Sequence, residues 1–238
     1  MSNGILKGKR GIIFGALDSK SIAWKVAEHA KAEGAEIVLT NAPIALRMGT
    51  INELAEKINS IVIPADATNM EDLKNLYEKS VEHLGGKIDF VLHSIGMSVN
   101  VRKGKKYYEQ NHDWTMKGYD VSALSFHKTM QAAWELDALN EYGSVIGLSY
   151  IAAQRVFHTY NDMADNKAML ESIARSFGYH YGLRRKVRVN TISQSPTDTT
   201  AGSGVAGFDG FYRFANDLSP LGNATSDECA DYLSLIHI

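Results

Sequence analysis

The sequence predicts an α/β protein with one doubly wound parallel sheet flanked by helices, and three observations carry that expectation. Short apolar runs alternate with amphipathic stretches from the N-terminus onward. The runs lack a polar side, as strands covered on both faces must. The stretches between them are long enough for the crossovers that parallel neighbours require. At 238 residues the chain suits one large core, so one domain over 1–238 is expected.

The elements follow in order. Gly11-Ile12-Ile13-Phe14-Gly15 reads as a strand, and Ser21 to Glu33, closed by Gly34, as the helix after it. The unit recurs as strand Ala35 to Leu39, helix Thr50 to Asn59, strand Ser60 to Ile63, helix Met70 to Leu84 and strand Ile88 to His93. An irregular polar and aromatic segment around Val101 to Trp114 leads into a long helical pattern reaching about Leu139. Strand Ser144 to Leu148, a helix from about Thr159 to Tyr181 and strand Val187 to Ile192 complete the pattern. A helix begins near Ser226, and no room remains for a following strand, so either the fold ends on that helix or, as the expectation favoured here, a final strand is missing through C-terminal truncation. Two regions break the rhythm, 97–113 and the Gly/Ser/Thr-rich loop Ser193 to Gly210. Both follow strand ends, where open α/β sheets bind ligands.

Composition narrows the partners. Hydrophobic residues make up 45% and charged residues 22%, and the net charge of -2 offers no basic field for nucleic acid or an anionic membrane. The single cysteine, Cys229, excludes an intrachain disulfide and multi-thiolate zinc sites, and the eight histidines have no ligand spacing, so no metal is expected. No stretch approaches the roughly 18 apolar residues of a membrane span, and no export signal opens the chain. A cytoplasmic setting is expected.

A doubly wound sheet of this Rossmann type binds a dinucleotide on the loop after its first strand. Here that loop is Gly15-Ala16-Leu17-Asp18-Ser19-Lys20, with Ser21 as N-cap or phosphate donor and Ile22 opening the helix. The G-x-G-x-x-G spacing is absent, and a tight turn with a cap is the competing reading. After the second strand Asn41 can hydrogen-bond a ribose, which favours NADH, whereas Arg47 leaves NADPH open. Asp66, with Ala67 beside it, can accept from an adenine amino group, and Ser94-Ile95-Gly96 can line the ribose and nicotinamide.

Tyr160 and Lys167 lie seven positions apart, so a helix beginning just before Tyr160 projects both from one face. The lysine can then hold a cofactor ribose and lower the phenol's pKa, while the tyrosine meets negative charge developing on a carbonyl oxygen. Chance alone supplies about one such pair in a chain of this composition, so position rather than spacing carries the weight. Tyr150, just after the fifth strand, points toward the same crevice or forms an aromatic shelf over the sheet.

Taken together, Gly15-x5-Ser21-Ile22-Ala23-Trp24, His93-Ser94-Ile95-Gly96, Leu148-Ser149-Tyr150, Tyr160-Asn161-x-Met163-x3-Lys167 and Val187-Arg188-Val189-Asn190 resemble the enoyl-acyl-carrier-protein reductases. These are a divergent branch of the short-chain dehydrogenases, and the resemblance runs from about Lys7 to Cys229. It implies reduction of a trans-2-enoyl thioester on acyl-carrier protein by NADH in fatty-acid biosynthesis. It further implies that Tyr160 meets the thioester carbonyl, Lys167 anchors the nicotinamide ribose, and Tyr150 assists at the substrate side with Met97. Pro196, Thr197 and Thr199 match the nicotinamide-contacting loop, and Ala201 to Phe208 a mobile substrate lid. A homotetramer is implied for the full-length protein. The chain departs from the family pattern at Ser193-Gln194-Ser195-Pro196, where Ser-Ala-Gly-Pro is usual, and in Asp162, Asp165 and Asn166, which make the helix polar near Lys167, the two aspartates being an acidic pair that would raise the lysine's pKa if near it. The competing readings are a 3-oxoacyl or other carbonyl reductase, disfavoured by Tyr150 and the Tyr-x6-Lys spacing, and a non-catalytic dinucleotide sensor.

Overall fold

The computed structural model describes residues 3–157 and 159–236. Its six strands, β1 (Arg10–Phe14), β2 (Glu36–Thr40), β3 (Ile61–Val62), β4 (Ile88–His93), β5 (Leu139–Leu148) and β6 (Arg188–Ile192), form one parallel sheet in the order β3-β2-β1-β4-β5-β6. The order reverses between β1 and β4, which opens a crevice at their C-terminal ends. Register sets the floor of that crevice. Phe14 pairs with Thr40 on one side and His93 on the other, and His93 pairs with Gly147. Three strand ends therefore stop at one level, and their loops emerge together.

Each face of the sheet buries its own core. On one side Ile13, Ile37, Leu39 and Leu92 pack with α1 (Ile22–Ala32), α3 (Ile51–Lys57) and α11 (Ser226–Ile236), through Trp24, Leu54 and Leu233. On the other, Ile12, Phe14, Val91 and Val145 meet α4 (Met70–Leu84), α7 (Ser125–Glu135) and α8 (Asp162–Arg185), through Tyr77, Phe126 and Leu170. The bounds of α4 match the sequence reading because both ends carry strong signals. Asn69 accepts from the amides of Glu71 and Asp72, and Gly85 turns left-handed at φ +68°.

Departures from the sequence reading have local causes. The long helix expected to reach Leu139 ends at Glu135, and Leu139 already belongs to β5, paired with Ile88. Its earlier part is α6 (His112–Tyr119), which runs into α7 through a π-helical turn over Asp120–Leu124. The irregular 97–113 segment contains α5 (Val99–Arg102) and a 3-10 turn at Tyr107–Glu109. Two further helices were not expected, α2 (Pro43–Met48) and α10 (Phe208–Leu218), and α9 (Thr200–Ser203) sits in the expected lid. Among the described residues no strand follows β6, and α11 begins at Ser226 as expected.

Candidate active site

The crevice holds a cavity of about 340 Å³. Its dinucleotide side is shaped by backbone. Gly15 adopts φ +91°, and a Cβ there would lie 2.1 Å from the Ser94 carbonyl oxygen, so the chain leaving β1 crosses the chain leaving β4 without room for any side chain. Ser21 stands at the N-cap position of α1 but does not cap it. Its hydroxyl donates to Asp18 O at 2.7 Å and accepts from Leu17 N at 3.2 Å, closing the loop on itself. The first-turn amides of α1 are thus left uncapped by a side chain, the arrangement that favours an anion at a helix N-terminus. Asn41 lines the cavity too, with its amide donating to Ala16 O at 3.0 Å. The residues present thus fit a dinucleotide: a glycine cradle, a helix N-terminus and an open floor at Gly96, where a Cβ would come within 3.3 Å of Met163 Cε and 3.7 Å of Lys167 Nζ.

The opposite side brings together two tyrosines and a lysine. Tyr150 follows β5, and its ring packs 4.9 Å from Tyr160 and 5.4 Å from Phe157, centroid to centroid. The Tyr150 hydroxyl is buried and has no hydrogen-bond partner among the described residues, although an unpaired buried hydroxyl is costly. Burial pushes its pKa up to about 12, and burial with the neighbouring Tyr150 phenol raises that of Tyr160 as well. Both phenols therefore hold their protons at neutral pH and are equipped to donate. Lys167 is buried within α8, and its ammonium donates to Leu148 O at 2.6 Å. Desolvation lowers its pKa to about 8, so it remains mostly charged at pH 7.

Two expectations about this pair need correction. Helix α8 begins at Asp162, so Tyr160 belongs to the preceding turn and shares no helix face with Lys167. The two meet as walls of one cavity instead. Nor does Lys167 lower the phenol's pKa, because burial dominates at Tyr160. The nearby acids do not raise the lysine's pKa either. Asp162 accepts from Ser98 Oγ at 2.5 Å and Asn100 Nδ2 at 2.8 Å, while Asp165 accepts from the Tyr107 hydroxyl at 3.2 Å.

Asp162 is the centre of a buried polar knot that ties the catalytic turn to the 97–115 segment. Asn100 also donates to Thr115 Oγ1 at 3.0 Å, and Thr115 donates to Gln110 Oε1 at 3.0 Å. Gln110 in turn donates to Asn161 Oδ1 at 2.5 Å, and Asn161 donates to Lys105 O at 2.6 Å. Asn161 sits at φ +46°, ψ -136°, a strained conformation for a residue with a side chain, held by these bonds next to Tyr160. The π turn holds the same segment from behind: Ser122 Oγ donates to Met97 O at 2.9 Å and accepts from Met97 N at 2.8 Å.

Gly15, Ser21, Ile22, Asn41, Ser94, Ile95, Gly96, Met97, Tyr150, Tyr160, Lys167, Pro196, Thr197, Thr199, Ala201 and Phe208 all border the cavity. Asp66 and Ala67 do not, and the Asp66 carboxylate accepts from the amide and hydroxyl of Thr68 in its own turn. Arg47 is exposed and also outside the lining. Sequence reasoning missed Arg102, Gln194 and Phe211, which line the cavity as well. Gln194 was visible as a departure in its loop, and its side-chain carbonyl is buried without a partner among the described residues. Phe211 gave no signal because α10 was not expected.

The sheet order, the crevice at its switch point and the tyrosine and lysine beside it define an oxidoreductase of the short-chain dehydrogenase class. Comparison with known proteins narrows the class. The family model for enoyl-(acyl carrier protein) reductase matches residues 15–236. The enoyl-[acyl-carrier-protein] reductase [NADH] 2 of Rhizobium meliloti is 34% identical over 220 residues, covering 92% of this chain and 80% of that protein. A crystal structure of a FabI-NADH complex from Alistipes finegoldii superposes with a TM-score of 0.97 at 62% identity, covering 98% of this chain and 83% of that one. The Bacillus cereus enoyl-acyl carrier protein reductase with NADP+ and indole naphthyridinone superposes at 0.90 with 27% identity, covering 100% and 91%. The chain belongs to the enoyl-acyl-carrier-protein reductase family.

Proposed function

We propose that the protein reduces the trans-2 double bond of an enoyl thioester carried on acyl-carrier protein, with NADH as reductant, in fatty-acid biosynthesis. The observation that carries this reading is the convergence of two protonated phenols and one buried ammonium on a single cavity at the switch point, one phenol lacking a partner among the described residues. When bound, the reduced dinucleotide supplies the hydride that the β-carbon receives. Charge then develops on the thioester oxygen of the enolate, to which the Tyr160 hydroxyl donates a hydrogen bond, with the Tyr150 hydroxyl as a second donor, and a proton taken up from solvent at the α-carbon completes the saturated thioester. Their raised pKa values keep the protons in place until that charge appears. Lys167 uses one of its three protons on Leu148 O, which fixes the ammonium beside Gly96 and leaves two for the ribose hydroxyls. Pro196, Thr197 and Thr199 would border the nicotinamide, with Ala201 and Phe208 over the acyl chain. NADH is favoured over NADPH because Asn41 and Ala45, not Arg47, border the cavity after β2. The reading carries with it a cytoplasmic setting and a homotetrameric assembly.

The test follows cofactor absorbance with an enoyl thioester and with a 3-oxoacyl thioester. Only the enoyl substrate should be consumed, and Tyr160→Phe should lower kcat by about 10²–10³-fold, the usual effect of removing one donor to a developing oxyanion. Turnover of the 3-oxo compound alone would overturn the assignment.

A further inference from the structure

The mouth of the cavity is electrostatically lopsided. On one wall, Arg102, Lys103, Lys105 and Lys106 place four cations in five residues, all exposed, in a chain whose net charge is -2. Among the described residues none of the four enters an ion pair, and the Lys106 ammonium lies 5.7 Å from the Tyr108 ring centroid. Exposed Tyr107 and Tyr108 continue the ridge, at 58% and 80% exposure. On the facing wall, the segment from Thr200 to Gly210, which contains the expected lid, has no cation and one acid, Asp209. The walls are close: a Cβ on Gly104 would lie 3.6 Å from Ala206 Cβ, and one on Gly204 would lie 4.0 Å from Arg102 Nε.

The ridge is also rigidly mounted. Lys103 N donates to Val99 O at 2.9 Å, Gly104 N to Val101 O at 3.0 Å and Lys105 N to Asn100 O at 3.0 Å. Lys105 O accepts from Asn161, the residue after Tyr160. Unpaired like charges held together on a fixed backbone repel one another, so their juxtaposition calls for an anionic counterpart from outside. Arginine and tyrosine, moreover, are the residue types enriched where proteins meet.

Resting on the proposed function, we propose that Arg102 to Tyr108 is the docking surface for an acidic face of the carrier protein that delivers the thioester. A cavity of about 340 Å³ admits the acyl chain and its tether but not the carrier itself. The carrier must therefore sit on the rim, and this ridge is the charged part of that rim that could hold it. Arg102, which lines the cavity, stands where the tether enters, while Lys103, Lys105 and Lys106 face outward to steer the encounter.

The test compares wild type with the Lys103→Glu, Lys105→Glu, Lys106→Glu triple variant on two substrates, enoyl thioester on carrier protein and the same acyl group on N-acetylcysteamine. The expected result is a KM for the carrier-borne substrate raised roughly tenfold or more with kcat little changed, and unaltered kinetics on the small thioester. Raising ionic strength to about 0.2 M should weaken the carrier substrate for wild type and not for the variant. Equal effects on both substrates, or none on either, overturn the proposal. Binding of enoyl-carrier protein, read by fluorescence anisotropy without turnover, decides the matter even if no thioester is reduced, an outcome that would sink the proposed function separately. Charge-dependent binding to phosphatidylglycerol vesicles, with carrier affinity unchanged in the variant, would assign the ridge to a membrane and overturn the proposal.

Discussion

The two walls of the cavity are built by different means. The dinucleotide wall is made of backbone: Gly15 lies against the Ser94 carbonyl, Ser21 folds its own loop, and the first turn of α1 is left open. The wall that bears Tyr160 is made of side chains far apart in sequence, with Asp162, Asn100, Ser98, Thr115, Gln110 and Asn161 holding one another in place. A wall of the first kind fails by sterics and one of the second kind by orphaned polar groups, and the two failures are separable by experiment.

Gly15→Ala should have the largest effect. It places a Cβ 2.1 Å from a backbone oxygen at a left-handed φ, and neither partner is a flexible side-chain end. A loss of about 3 kcal/mol or more in stability is expected, together with loss of NADH binding, read by thermal melting and cofactor fluorescence. Asp162→Ala comes next. Removing the carboxylate strands the Ser98 hydroxyl and one bond of the Asn100 amide in a buried site, at about 2–4 kcal/mol. Here kcat should fall while NADH affinity stays near that of wild type, and Asp162→Asn, which keeps one acceptor, should recover part of the loss. If Asp162→Ala instead abolished NADH binding with kcat intact, the division between the walls would collapse.

A smaller effect comes from pH. Burial depresses Lys167 from 10.5 to about 8, so the ammonium is lost as pH rises through about 8. In that range kcat/KM should drop by about tenfold per pH unit, since it reports groups of the free enzyme. Stability moves the other way. The unfolded chain binds this proton more strongly, so the penalty for burying it is fully present below about pH 8 and is relieved as pH climbs toward 10.5. Urea denaturation at pH 7.5 and 9.5 reads this opposition directly. His93 takes no part, because burial holds its pKa down to about 3. Ser125 gives its proton to Val121 O, so His93 Nε2 donates to Ser125 at 2.9 Å as a neutral ring.

The smallest expected change tests where the walls touch. Thr200 Oγ1, in the lid, donates to Asp18 Oδ2 at 2.6 Å, in the cofactor loop. The bond is exposed, so Thr200→Val should cost about 0.5–1 kcal/mol at most, read by titration as an NADH affinity about two- to fivefold weaker.

The same contrast explains what was legible beforehand. Strand runs such as Ile88 to His93, the Asn69 and Gly85 signals around α4 and the bend at Gly15 are local, and a single sequence displays them. Tyr150, Tyr160 and Lys167 were reached through motif and position, and they border one cavity. The helix start was misplaced because the bonds holding Asn161 at positive φ come from Gln110 and Lys105, about fifty residues away. Local propensity around Thr159 contains no trace of them. Asp66 shows the opposite error, a residue in a plausible place whose carboxylate is spent on Thr68 two positions later.

The π turn at Asp120–Leu124 changes the phase of the rod that contains it. Each residue of an α-helix advances about 100° around the axis, so a wider turn rotates everything from His112 to Tyr119 against the half that α7 anchors in the core. That offset lets Ser122 grip both the backbone N–H and the carbonyl of Met97 while Phe126 and Met130 stay in the core. The angle at which the acyl-side wall meets the sheet is therefore governed by how many residues make up this turn, a property that insertion or deletion alters and side-chain exchange leaves alone.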